Sequence, residues 1–345
     1  MSFKLLTTLL AVIYGIFGAY AKPLCSDSLE MAGGGMPNNT LPAVISEEAK
    51  DEIQIAQFIK NLQVAFLKEG LANITKWDIS GYGNNTVEIV NTIAAVRRFF
   101  AVKMHANISQ QETVHLESFK ALLDNYGSPV IPLCNYSFPV SSTEEFFELA
   151  HFLGSAGIGS TIGLSERLAV TDPALIRLFS SILAVESRHD AFFRSIQGRA
   201  PSAAPFDTGG NRLWTFNGAL AFVAPGSCPY QLPVPITPRV ASKRSAPTSL
   251  LENINATSVG SWDFGWDPAQ HAFVVNERKE LMVGWVNQVN APVYTLMNVT
   301  EMGKGTAEVP QGLTGIVYAV VTVEEYNHVN DLALGAIAGP AVISI

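Results

Sequence analysis

Two Glu-x-x-His quartets of this chain, Glu112–His115 and Glu186–His189, each sit in the middle of an apolar stripe with helical spacing. Around the second, Leu175, Phe179, Ile182, Glu186, His189, Phe193 and Ile196 recur at alternating steps of four and three. Around the first, Ile108, Glu112, His115, Phe119 and Leu122 do the same. Such a stripe faces the interior of a helix bundle. Both quartets therefore put a carboxylate and an imidazole where Leu or Ile belongs. A charge left alone there is costly, so it needs a partner or a metal. Glu and His three residues apart, supplied by two helices, form half of the ligand set of a dinuclear carboxylate site in a bundle core.

Residues 1–21 read as a secretory signal: Lys4, an apolar run from Leu5 to Phe17, then Ala19-Tyr20-Ala21 as a small-x-small cleavage site. The run is short for a membrane span, so no span is expected after cleavage; a retained anchor is the competing reading. Seven Asn-x-Ser/Thr sequons, at Asn38, Asn73, Asn84, Asn107, Asn135, Asn255 and Asn298, fit a glycosylated, secreted or cell-wall protein. Cleavage removes Lys4 and takes the formal charge from −8 to −9. With no basic run beyond Lys243-Arg244, nucleic acid is not expected as a partner. Of the three cysteines, Cys134 and Cys228 are expected to pair in an oxidising compartment, with Cys25 free or intermolecular.

The chain divides into a signal (1–21), a leader (22–45), a helical bundle (46–200), a proline-rich wrapping segment (201–240) and a β-rich part (241–345). Helices are expected over 47–71, 86–103, around Glu112–His115, from Thr143, and from Pro173 to Gly198, with Asp172 as N-cap before Pro173. The first carries Ala56, Ile59, Gln63 and Phe66 on one stripe; the one opening at Thr143 carries Phe147, Ala150, Gly154, Gly157, Thr161 and Leu164. Short apolar runs at 271–276, 281–286, 293–298, 315–323 and 341–345 suggest strands. The apolar tail from Leu332 to Ile345 reads as a terminal strand, with a lipid-anchor signal as the alternative.

Three segments carry a resemblance: Gln57 to Phe66, Gln111-Glu112-Thr113-Val114-His115, and Ser181 to His189, supported by Pro205-Phe206-Asp207-Thr208 and Gly226-Ser227-Cys228-Pro229. Over residues 40–240 the chain resembles the ferritin-like domain of secreted fungal proteins associated with sexual development and stress, to which plant desiccation-related proteins are similar. The resemblance implies a ferritin-like four-helix bundle; with the apolar runs that follow it, the chain reads as α+β, the bundle succeeded by a small β-rich part. It also implies an ancestral metal site at the bundle centre. Where the family would carry a ligand Glu on its first and third helices, this chain has Gln63 and Gly154. Glu112, His115, Glu186 and His189 remain as candidate ligands. Two irons sharing only these would be under-coordinated, whereas one iron, zinc or other divalent metal is chemically reasonable. A relic polar network without metal is the competing reading.

A third quartet, Glu148–His151, offers either a displaced ligand or a bundle hydrogen bond, and a fourth, Glu325–His328, reads as a solvated turn. Asp207-Thr208-Gly209 matches one half of an aspartic-protease pair, but no second Asp-Ser/Thr-Gly exists to share its proton. The glycines at 154, 157, 159 and 163 lie in a helical pattern with no strand before them, so they suit close helix packing, not a nucleotide loop. Trp262, Phe264 and Trp266 are either a core plug or a carbohydrate platform. The expected function is a non-catalytic or weakly metal-binding extracellular protein of stress or development, with cell-wall or glycan components as partners. The alternative is a metal-dependent oxidoreductase built on the two quartets.

Overall fold

The computed structural model describes residues 24, 26–74, 76–77, 108–244, 260–267 and 280–345. The signal segment, Cys25, the helix expected over 86–103, the sequons at Asn84, Asn107 and Asn255 and the strand expected over 271–276 lie outside the described residues. A short helix α1 (Ser26–Ala32) precedes four long ones: α2 (Glu47–Ile74), α3 (Ile108–Asn125), α4 (Thr143–Thr171) and α5 (Pro173–Ile196). Then come α6 (Arg212–Ala219), seven strands and a last short helix, α7 (Val329–Leu334). The fold is α+β, as the sequence suggested.

Both apolar stripes land where their spacing puts them. Ile108, Glu112, Phe119 and Leu122 of α3 are buried, as are Leu175, Phe179, Ile182, Glu186, His189 and Phe193 of α5. Helix α2 is different: Ile53, Gln54, Ile55, Gln57, Phe58, Lys60, Asn61, Leu62, Gln63 and Val64 are all buried, so it is enclosed on nearly every side. The amides of Gln54, Gln57 and Asn61 all donate to carbonyls of residues 129–131. Gln57 donates to the Ile131 carbonyl at 2.8 Å and accepts from its N–H at 2.6 Å, pinning the α3–α4 connection. Asp172 precedes Pro173, but its side chain makes no capping bond to α5. Its carboxylate instead accepts from Ser46 N and Oγ, at 2.9 and 2.5 Å, fixing the start of α2 beside the α4–α5 corner.

Two apolar clusters fill the bundle. One holds Phe58, Phe66, Phe146, Phe147 and Phe193; the other holds Ile53, Phe119, Leu164, Leu175, Phe179 and Ile182. The quartets lie between them along each helix, as a polar layer in an otherwise apolar interior.

The strands are β1 (Val240–Arg244), β2 (Ser261–Trp266), β3 (Met282–Asn287), β4 (Val293–Glu301), β5 (Lys304–Glu308), β6 (Ile316–Thr322) and β7 (Ala338–Ser344). All pairings are antiparallel, in the order β1-β2-β5-β4-β3-β6-β7. The two outer strands come back together, with Gly339 N donating to Pro238 O at 2.8 Å and Thr237 Oγ1 to Gly339 O at 2.9 Å. The sheet thus curls towards a barrel. Phe264 and Trp266 are buried inside it with Val283, Trp285, Val317 and Ile343, and Trp262 packs against the same cluster. The aromatic triplet is core, not an exposed platform. Strands β1, β2 and β5 are absent from the sequence expectation. The tail does form a strand, β7, paired with β6. Among the described residues no helix is long and apolar enough to cross a membrane.

Loop 208–210 clasps the bundle to the sheet. Gly210 N donates to the Gly159 carbonyl of α4 at 2.7 Å, and Thr208 Oγ1 accepts from Gln288 N at 2.7 Å. Gly159 and Gly163 serve this contact, not helix–helix packing, because a Cβ at Gly163 would run into the Gly210 carbonyl oxygen. Gly163→Ala is therefore expected to destabilise by about 1–3 kcal/mol, despite alanine's better helix propensity. A fall in thermal midpoint measures it; an unchanged or raised midpoint would show that the clasp yields freely.

Candidate metal centre

Three side chains of the quartets converge. Ligand atoms of Glu112, His115 and Glu186 lie within 4.8 Å of one another, a grouping of metal-site dimensions. Between the two carboxylates sits a residue the sequence reading passed over. Lys60 of α2 donates to Glu112 Oε2 at 2.7 Å and to Glu186 Oε1, and its side chain is only 6% exposed. Its ammonium takes up the position from which a metal ion would neutralise both glutamates. Lysine is almost never fully buried unless paired, and here it is paired twice.

The electrostatics follow from that arrangement. Burial alone would lower the Lys60 pKa, but the charges of Glu112 and Glu186 and its hydrogen bonds to both hold it above its ordinary value. Burial likewise pushes the Glu112 pKa up, yet the Lys60 charge, the nearby His115 imidazole and the hydrogen bond of His189 hold it well below the usual range. Lysine and glutamate thus stay ionised together. For His115, burial is outweighed by the two neighbouring carboxylates, which raise its pKa. Its Nδ1 lies 3.2 Å from Glu186 Oε1 and 3.8 Å from Glu112 Oε2, at ion-pair range without hydrogen-bond alignment.

The fourth candidate is occupied on both sides. His189 Nδ1 is 3.0 Å from Glu112 Oε1, and Nε2 is 2.7 Å from Gln111 Oε1. The Gln111 amide is oriented by its donation to Ala32 O at 3.2 Å. Both His189 nitrogens thus face oxygens of Glu112 and Gln111, which a metal would have to displace.

Gln63 lies at the centre, donating to the Leu153 carbonyl of α4 at 3.2 Å while its Oε1 has no partner. Gly154 faces Asp190: a Cβ there would lie 3.4 Å from Asp190 Oδ1. The α4 position that faces the cluster is Gly157, whose Cβ would lie 2.7 Å from Gln63 Nε2 and 3.8 Å from Glu186 Oε2. Neither glycine offers a donor atom.

A dinuclear carboxylate centre does not fit this set. It needs a carboxylate from each of the other two helices, where this chain has a glutamine and a glycine. It would also have to share its space with an ammonium ion that its own carboxylates keep charged. A single divalent ion finds three converging donors, with Gln63 Oε1 unpartnered beside them, but only once Lys60 is displaced.

The remaining quartets are structural. Glu148 pairs with Arg199 at the surface, His151 hydrogen-bonds Asp190 at 2.6 Å, and Glu325 and His328 lie in an exposed turn before α7. A second buried ion pair, missed in the sequence, joins α2 to α4: Arg167 donates to both oxygens of Glu52, at 2.7 and 2.8 Å. Cys134 and Cys228 form a disulfide. Of the described sequons, Asn38, Asn135 and Asn298 are exposed and Asn73 is half-buried.

Among curated proteins, none matches the chain. Residues 49–199, nearly all of α2 and the whole of α3, α4 and α5, match the family model of the ferritin-like domain. The helical part of this protein is thus a ferritin-like domain with a Glu/His cluster at its centre.

Proposed function

We propose that this is a secreted, glycosylated ferritin-like protein whose bundle centre is a self-neutralised ion cluster, and that it works without redox catalysis as an extracellular or cell-wall protein of stress or sexual development. The observation that carries the reading is Lys60 between Glu112 and Glu186. An internal cation supplies the charge that a metal supplies elsewhere on this fold, and it brings neither open coordination positions nor redox chemistry. The bundle then serves as a scaffold: α6 and the 208–210 clasp hold the sheet against it through Leu213, Trp214, Val286 and Tyr318. Secretion is supported by the disulfide, which suits an oxidising compartment, and by the exposed sequon asparagines.

Metal content tests this reading. Protein purified from a secreting host, incubated with ferrous iron, zinc and manganese and then desalted, is expected to retain well under one equivalent of any of them. It should equal a Glu112→Ala/Glu186→Ala variant in this and show no ferrous-iron oxidation. Stoichiometric metal that disappears in the double variant would establish instead a functional metal site at Glu112, His115 and Glu186, and metal-dependent turnover would establish the oxidoreductase reading built on it.

A further inference from the structure

A cavity of about 210 Å³ opens between α4, α5, the 201–207 segment and the start of β6, away from the bundle centre. Its floor is charged and buried. His151 Nδ1 lies 2.6 Å from Asp190 Oδ1, Ser155 Oγ donates to Asp190 Oδ2 at 3.2 Å, and Arg194 Nη1 lies 3.2 Å from His151 Nε2. Arg194 Nε is anchored on Ala200 O at 2.7 Å. His151, Asp190 and Arg194 are each at least nine-tenths buried. A buried charged network stabilises little by itself, and this one lies at the foot of a cavity, not within a packed core. At the rim, the Asp207 carboxylate makes no hydrogen bond among the described residues. Burial, then the nearby charge of Asp190, raises its pKa, against the opposing pull of Arg194.

The arrangement excludes several uses. Ser155 reaches the same imidazole nitrogen and carboxylate that bind each other, 3.3 Å from His151 Nδ1. The nitrogen that would act as its base is turned to Arg194, so this is no nucleophilic triad. An anionic ligand would meet two aspartates, and a dication would meet a fixed guanidinium. A neutral ligand with adjacent hydroxyls uses both signs: its O–H groups donate to Asp207 and to the Ser155 oxygen, and its oxygens accept from the Arg194 N–H groups that Ala200 and His151 leave over. Ile158, Pro201 and Ala203 supply apolar wall for C–H faces. The volume is below the range for drug-sized ligands, roughly 300–1,000 Å³, which suits a single sugar-sized ring. We propose that this cavity binds a small neutral polyol, a hexopyranose presented either free or as the terminal unit of a glycan chain.

Saturation-transfer NMR and calorimetry with glucose, mannose and N-acetylglucosamine, and with a short oligomer of whichever binds, test the site. Binding with a Kd of about 1–10 mM is expected for at least one. It should weaken tenfold or more in Asp207→Ala and vanish in Ala203→Trp, which fills the cavity, while both variants keep the parent's thermal midpoint. Equal affinity for monomer and oligomer assigns the free sugar, and tighter oligomer binding assigns the glycan terminus. No binding of any sugar at 20 mM, about twice the upper end of that range, would overturn the proposal. So would binding unchanged in both variants, or a response to acetate or calcium alone.

Discussion

Replacing Lys60 by methionine is expected to destabilise the protein by about 3–5 kcal/mol at neutral pH, since it leaves Glu112 and Glu186 buried together without their cation. Urea unfolding reads the loss directly. The pH dependence carries the sign of the cause. In the parent, the depressed Glu112 pKa gives stability that is present above its ordinary value of 4.5 and fades as pH falls through the folded value. The elevated Lys60 pKa gives stability present below 10.5 and lost as pH rises through its folded value. The parent contribution is thus a plateau between these limits. In Lys60→Met the carboxylates repel each other, so one takes up a proton on folding and the variant gains stability as pH falls towards 4.5. The gap between the two proteins should narrow with acid. Replacing all three groups by apolar residues, Lys60→Met/Glu112→Leu/Glu186→Leu, should cost less than the single change, because no charge is then stranded. A gap independent of pH, or a triple variant worse than the single one, would point to packing as the cause.

Removing the Cys134–Cys228 bridge is the second large effect. The bridge joins the α3–α4 connection to the segment after α6 across a sequence separation of 94 residues. Closing so long a loop restricts the unfolded chain, and Cys134→Ser/Cys228→Ser is expected to cost about 2–5 kcal/mol. The folded neighbourhood should survive. Ser137 N still donates to Phe222 O, and Ala224 N to Asn135 O, both at 2.9 Å. The parent's denaturation midpoint in reductant should therefore fall to that of the double variant, with the far-ultraviolet spectrum unchanged. If reductant leaves the midpoint where it was, the loop restriction contributes nothing.

The parts legible in the sequence share a physical reason. α3 and α5 each bury one face, so their apolar residues keep the helical period and their quartets stand out as polar interruptions. α2 is enclosed on nearly all sides, which removes that contrast and with it the phase. Lys60 lies four residues after Ala56 and three before Gln63, on the stripe that marks the centre, yet a lysine reads as a solvated surface residue until its two partners are seen. On α4 the stripe holds both Gly154 and Gly157, and the family resemblance points to Gly154, whereas Gly157, one turn on, faces the cluster. In the sheet, β3 and β6 are buried almost throughout and read as apolar runs. β5, Lys304 to Glu308, buries only Gly305 and Ala307 and exposes charges at both ends, so it carries no such signal. The Asp190–His151–Arg194 network joins α4 to α5 through residues far apart in the chain, and of the three only His151 belongs to a recognisable motif.

Zinc titration of the parent beside Lys60→Ala, followed by calorimetry and by the zinc-induced shift in thermal midpoint, tests most directly whether Lys60 holds the metal's place. The account predicts no heat and no shift for the parent. For the variant it predicts one equivalent bound through Glu112, His115 and Glu186, at micromolar or tighter Kd, worth about 8 kcal/mol of binding free energy. Zinc bound by the parent as tightly as by the variant would contradict it.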